Sequence, residues 1–472
     1  MSTETDTDLP FTSLSEISAR LEKGEITSVT VTRLMLDRIE RLNPKLNCFI
    51  TVLAESALAQ AERMDRLAQA GLRLGPLHGV PVAIKDNMAT RGIRTTAGSR
   101  ILADWVPDED ATVVQRLKQA GAVILGKTNL YEFAFGGVHE DYGEVRNPWQ
   151  TDRTCSASSS GPACVVAAGL AYASLGTDTG GSVRLPAAAC GIVGLKPTYG
   201  VVSRAGVVPA GYSLDHVGPF ARTVRDTALV QNAIAGPDAR DPAGSRRPVA
   251  DVTADLGLGL RGIVAGVPKL QASELIDPQM RAACDAAIAS LAEQGAQIVE
   301  VDLPDHLLSR TIMWAIAASE LAESHRDYLK TRPQDYSPTV LSLVRQGAFM
   351  PAVEYVHAHR VRQKIIADYQ AVMRSVDVIL MPVVPFPAWP VGAEEVTVAN
   401  VQENLMGSLT RYCPPFNITG QPAISVPAGF DGDGLPLALQ IAGRWHEEAT
   451  VLRVAHAYEQ AAGWYRARPP FA

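Results

Sequence analysis

The chain has few aromatics, few cysteines and no long apolar run. Phe, Trp and Tyr make up 6% of its 472 residues. Its longest apolar stretch, Pro162 to Leu175, is rich in small residues and falls short of the roughly 18 that a membrane span needs, so no membrane partner is expected. Six cysteines (Cys48, Cys155, Cys164, Cys190, Cys284 and Cys413) lack metal-ligand spacing. They read as free thiols in a cytoplasmic chain. For Cys155, as for the others, the plain reading is a small buried hydrophobe. Nine histidines form no HExxH pattern, so no metal is expected, nor any other cofactor. A basic excess is missing too. Lys and Arg total 43 against 50 Asp and Glu, a net charge of −7, and the basic residues are dispersed. That argues against direct contact with nucleic acid, which needs a clustered basic face. The first ten residues have neither a basic nor an apolar region of the signal-peptide kind. Residues 1–11 read as a disordered leader.

What is present is a large apolar fraction, 47%, enough for a sizeable core. Helix and strand periods alternate along the chain. Ser13-Leu14-Ser15-Glu16 is a capping box that opens a helix ending at Gly24. Helices are expected over 28–42, stopped by Asn43-Pro44, and over 54–70, 112–120, 162–172, 278–294 and 448–461. Strands are expected over 80–84, 121–126, 173–175, 262–267, 298–301, 376–382, 423–429 and 435–442. Residues 310–375 read as mostly helical, and 236–248 as a surface loop that could serve as a lid. The pattern is that of an α/β protein.

One stretch, Gly176-Thr177-Asp178-Thr179-Gly180-Gly181-Ser182-Val183-Arg184, stands out. Glycine admits φ > 0 and close backbone approach, and successive N–H groups in such a turn can converge on an anion. A phosphate-binding P-loop would need Lys followed by Ser or Thr after the last glycine; here Val183 and Arg184 follow Ser182. The Gly-x-Ser-x-Gly elbow of other serine hydrolases is absent. A structural turn before a helix remains an alternative, and the partners decide. Upstream lie Lys85, at the end of an apolar strand, and the serine cluster Ser156-Ala157-Ser158-Ser159-Ser160.

These segments, with Gly194 to Tyr199, Leu214 to Pro219 and Ile424 to Pro427, resemble the amidase signature family over about residues 12–462. The resemblance implies the family's α/β/α fold, a central mixed sheet flanked by helices on both faces, and a single amidase domain over 12–472, with a signature core at about 75–230 and a variable helical or lid region at about 236–400. It implies Ser182 as nucleophile, Ser158 as a bridging serine with a cis peptide bond, and Lys85 as base. The backbone N–H groups of Thr179, Gly180, Gly181 and Ser182 would form the oxyanion hole. A lysine is a base only when neutral. At its ordinary pKa about one in 2,500 is neutral at pH 7, and closing that gap takes about 4–5 kcal/mol, which burial can supply. Asp178 and Arg184 are expected to pin the loop. Ser156 and Ala157 stand where the family usually has two glycines, and Pro162 where it has serine.

The expected function is amidase chemistry through a Ser182 acyl-enzyme, releasing ammonia or an amine from a small carboxamide. Phe133, Phe135 and Trp314 are candidates for the substrate pocket. Two alternatives stay open: the glutaminase (A) subunit of a tRNA-dependent amidotransferase, or a hydrolase of urea derivatives such as allophanate or biuret. The expected partners are the small amide itself and, at most, a second copy in a homodimer.

Overall fold

In a computed structural model, residues 8–269, 275–304 and 306–471 are described. The strands in chain order are β1 (Phe49–Val52), β2 (Pro81–Lys85), β3 (Val123–Thr128), β4 (Ala173–Asp178), β5 (Val193–Lys196), β6 (His216–Ala221), β7 (Val264–Pro268), β8 (Gln297–Val301), β9 (Val378–Pro382), β10 (Glu395–Val398), β11 (Val401–Asn404), β12 (Ala423–Phe430) and β13 (Pro436–Gly443). Among the described residues, eleven of them form one sheet in the order β1-β3-β2-β4-β6-β5-β12-β13-β9-β7-β8, while β10 and β11 pair as a hairpin. β2 runs parallel to β3 and β4, and β7 runs parallel to β8 and β9. The strands between β4 and β9 pair antiparallel. The sheet is therefore mixed, as expected, with helices around it. Strands β2, β3, β4, β6 and β9 are buried along their whole length, which is why β2 and β9 read as near-continuous apolar runs rather than alternating ones.

Two apolar clusters sit against the sheet. One gathers the N-terminal helices with the Ser160–Ala167 helix, through residues such as Leu14, Val31, Met35, Val165 and Leu175. The other joins the later strands to the helices at 306–372. Of the expected leader, residues 1–7 lie outside the described residues. Leu9–Phe11 form a 3-10 turn with Leu9 and Pro10 buried.

Some elements differ from the sequence reading. The helix expected to stop before Asn43-Pro44 runs from Ser28 to Leu46 with Pro44 inside it. It ends instead at Asn47, in the left-handed region at φ +54, and the Asn43 side chain accepts the N–H of Phe49 at 2.8 Å. The edge strand β1, the strand β6, the helix Val224–Ile234 and the β10–β11 hairpin carry no sequence signal that was read as an element. Residues 236–248 form a loop tied down by Asp241, which receives both Arg204 Nε (3.1 Å) and Arg204 Nη2 (2.8 Å).

Candidate active site

Parallel pairing brings Lys85, the last residue of β2, beside Thr177 near the end of β4. The serine cluster feeds the Ser160–Ala167 helix, which packs on these strands. Lys85 is 0% exposed. Its Nζ donates to Ser158 Oγ (2.9 Å), Ser159 Oγ (2.8 Å) and Thr177 Oγ1 (2.8 Å). Burial holds its pKa well below the ordinary lysine value; Asp215 and Asp178 offset this only in part.

The glycine-rich turn follows β4, and Ser182 sits partly open at its end. Ser158 donates its backbone N–H to Ser182 Oγ at 3.4 Å. The structure thus brings Lys85, Ser158 and Ser182 together, as a chain of neighbours. The two serine hydroxyls are not hydrogen-bonded to one another. Every peptide bond among the described residues is trans, the one at Ser158 included, in contrast to the cis bond that the resemblance implies. Trans is the lower-energy form of a non-prolyl bond by about 3–4 kcal/mol. Strain is stored nearby instead: Ser156, in place of the usual glycine, takes φ +68, whereas Ala157 does not adopt a positive φ.

Asp178 organises the turn. Its carboxylate accepts the N–H of Gly181 (2.8 Å) and of Val183 (3.1 Å), and two Arg184 side-chain donors at 3.0 and 2.9 Å. Burial would raise its pKa, but the Arg184 guanidinium overrides this and holds the carboxyl well below its usual range. Arg184 in turn donates to Cys413 O (2.9 Å), Gln440 Oε1 (2.7 Å) and Asn417 Oδ1 (2.6 Å). The pair pins the loop, as expected from the sequence. Gly181 sits at φ +128, and a Cβ there would meet Cys413 Cβ at 2.7 Å, so no other residue fits. Of the four amides expected to form an anion nest, that of Gly181 is already given to Asp178. Those of Thr179, Gly180 and Ser182 have no acceptor among the described residues.

Sequence reasoning missed three supporting groups. Ser159 and Thr177 complete the set of acceptors around Lys85. Asp215 receives Thr179 Oγ1 (2.5 Å) and the amides of Ala210 (2.9 Å) and Gly211 (3.0 Å), bracing the turn from behind. The matching segment Leu214 to Pro219 was the signal for Asp215, although it names no role. The three aromatics fall into two separate ring contacts. Phe135 packs edge-on against Trp314, with centroids 4.8 Å apart. Met313, beside Trp314 in its helix, reaches to 3.0 Å of where a Gly180 Cβ would stand. Phe133 faces His325 (4.2 Å) and Tyr336 (6.0 Å) instead. Cys155 is a fully buried thiol whose pKa burial pushes up.

A lysine surrounded by hydroxyls, beside a serine on a glycine turn, is the arrangement the sequence resemblance implied, and the family comparison agrees: the Amidase family model matches residues 30–452. The chain belongs to the amidase signature family. It is by that membership an enzyme of amide C–N bond hydrolysis. Among its relatives is the A subunit of the glutamyl-tRNA(Gln) amidotransferase of Carboxydothermus hydrogenoformans, 41% identical over 98% of this chain and 99% of the relative. A solved structure of the corresponding A subunit from Thermotoga maritima superposes with a TM-score of 0.81 at 34% identity, covering 96% of this chain and 95% of that one. An inhibitor-bound structure, described as a vestigial protein complex revealing the evolutionary origins of an s-triazine catabolic enzyme, superposes with a TM-score of 0.91 at 33% identity, covering 96% and 99%. The expectation of a chain whose partners are only a small amide and a second copy of itself is overturned here. These relatives are named as one subunit of an amidotransferase, or solved as a protein complex. Among the described residues no helix is long and apolar enough to cross a membrane.

Proposed function

We propose that this chain is the amide-hydrolysing A subunit of a glutamyl-tRNA(Gln)-type amidotransferase, releasing ammonia from glutamine through an acyl-enzyme, as one member of a cytoplasmic assembly. The observation that carries the reading is the 41% identity to such an A subunit over 98% of the chain, joined to the cluster of buried Lys85 and Ser158 with the partly open Ser182. In this reading Ser182 Oγ attacks the side-chain carbonyl. Lys85 in its neutral form, with the Ser158 hydroxyl turned to donate to Nζ, takes the proton through Ser158, and the same path returns a proton to the leaving ammonia. The free amides of Thr179, Gly180 and Ser182 stabilise the oxyanion. An acidic chain without a basic face leaves RNA contacts to another member of the assembly.

The test is to purify the chain from its host and assay ammonia release from glutamine, with and without co-purifying proteins. A stable partner and glutamine turnover that depends on Ser182 are expected. A chain that purifies without any partner and turns over no glutamine would refute the reading. The higher TM-score of the s-triazine-related complex, 0.91 against 0.81, favours one second reading: a urea-like or small carboxamide substrate, cleaved by the same groups within an assembly. A substrate panel containing biuret and allophanate beside glutamine separates the two.

A further inference from the structure

Phe133 is 1% exposed. It lines a separate cavity of about 730 Å³, whose walls include neither Lys85 nor Ser158 nor Ser182. That volume is in the range that holds small organic molecules. Phe133, Tyr328 and Trp105 give it aromatic walls, and Leu102, Val207 and Val208 give aliphatic ones.

Its polar chemistry is specific. His325 is 2% exposed and lines the cavity. Its Nδ1 is hydrogen-bonded with Tyr336 OH at 2.7 Å, and Phe133 meets its ring edge-on at 4.2 Å, so the imidazole is fixed in orientation. Nε2 has no partner among the described residues. It donates if Nδ1 accepts the Tyr336 proton and accepts if Nδ1 donates to Tyr336. A ketone on the ligand can answer the first arrangement, and an amide both. Burial lowers the His325 pKa to about 4, so the ring is neutral near pH 7.

The charges at the mouth are mostly spent on one another. Arg240 lies 3.4 Å from Glu109 and 3.9 Å from Asp238, and Lys118 lies 2.7 Å from Asp110. Asp108, exposed at the mouth, has no ion-pair partner among the described residues and disfavours anions. Among the described lining residues no free cation waits inside for a carboxylate or phosphate.

We propose that this cavity is a second small-molecule site, taking a neutral aromatic amide whose ring stacks among Phe133, Tyr328 and Trp105 while its amide group meets His325 Nε2. The site is distinct from the one at Ser182, and the inference does not depend on which amide Ser182 cleaves.

The test uses 4-fluoroacetanilide and the full-length Ser182→Ala protein, in which the probe is not consumed. Binding is followed by fluorine NMR. Saturable binding is expected, with a Kd on the order of 0.1–1 mM. Val208→Trp and Leu102→Trp each fill the cavity from one wall and are expected to weaken binding at least roughly tenfold, while His325→Phe, which keeps the ring but removes the polar atom, weakens it by about three- to tenfold. Near-ultraviolet circular dichroism identifies any variant that fails to fold, and the other variants then carry the test. No saturable binding up to the probe's solubility overturns the proposal. So does binding indifferent to the cavity-filling and His325 substitutions, which would place the probe at the Ser182 site or on the surface.

Discussion

Two lysines lie at the ends of neighbouring parallel strands, and both are 0% exposed. Lys127 in β3 has a carboxylate: its Nζ lies 3.1 Å from Asp86 Oδ1 and donates to Met88 O (2.8 Å) and Thr95 Oγ1 (2.7 Å). Lys85 in β2 has three hydroxyls and, among the described residues, no ion pair. Burial lowers both pKa values, but Asp86 counteracts it at Lys127 by charge and by hydrogen bond, while only more distant carboxylates do so at Lys85. On the proposed reading, the contrast separates a structural cation from a base. A buried ammonium is kept charged by a carboxylate in contact and is driven toward neutrality when only neutral acceptors surround it.

The comparison can be broken most severely at the reaction itself. Ser182→Ala and Lys85→Met should each lower kcat by about 10⁴-fold or more while leaving a folded protein; Lys127→Met, if it folds, should not show this loss per folded molecule. Steady-state amide hydrolysis, corrected for folded fraction, checks it. Next in size is the ion pair. Asp86→Asn takes away the carboxylate that keeps Lys127 charged, so the buried amine must stay unpaired or give up its proton, and this should cost about 3–5 kcal/mol of stability in urea unfolding. Asp178→Asn weakens the hold on the Gly181 amide and Arg184, and should lower kcat by about 10²–10³-fold through a misplaced anion nest.

A finer test lies in pH. The folded-state pKa of Lys85 is depressed below its unfolded value, so the unfolded chain binds more protons between the two. Stability contributed at this site is therefore present above the unfolded pKa and is lost as pH falls toward the folded one. Lys85→Met should be more stable than the parent at neutral pH, by about 1–3 kcal/mol, and its stability should rise less with pH. The parent's kcat/KM should climb with pH through a group well below the ordinary lysine value. The smallest effect is expected at Cys155→Ala, which removes a buried thiol from behind the serine cluster: less than about 1.5 kcal/mol and little change in rate.

Much of this was legible because the chemistry falls on residues with distinctive neighbours. An apolar strand that ends in Lys85 leaves the amine no route to water, and Gly180-Gly181-Ser182 can turn where other residues cannot. The α/β class was legible from buried strands interleaved with helices, while the mixed sheet came only with the family resemblance. The path of the short strands was not: β1 and β6 are stabilised by their sheet neighbours, and four to six residues carry little periodic signal. Phe133 and Phe135 lie two apart, which in extended chain puts them on one face. Phe133 at φ +50 and Ala134 at φ +60 reverse the backbone between them, and the two rings part. The left-handed conformation of such residues is not readable from their identity, since bulky side chains seldom adopt it. Partners were misread because an acidic composition speaks only for the surface of this chain, and one member of an assembly can leave the charged work to another.

The bonds from Arg184 to Asn417 and Gln440 span 233 and 256 residues of sequence. A ribosome making this protein releases the turn that carries Ser182 long before it releases the residues that anchor it. Competence for hydrolysis must therefore arrive late in synthesis, with the final strands. Nascent chains halted before residue 440 leaves the exit tunnel should be inert toward amides even with residues 85, 158 and 182 already outside the ribosome.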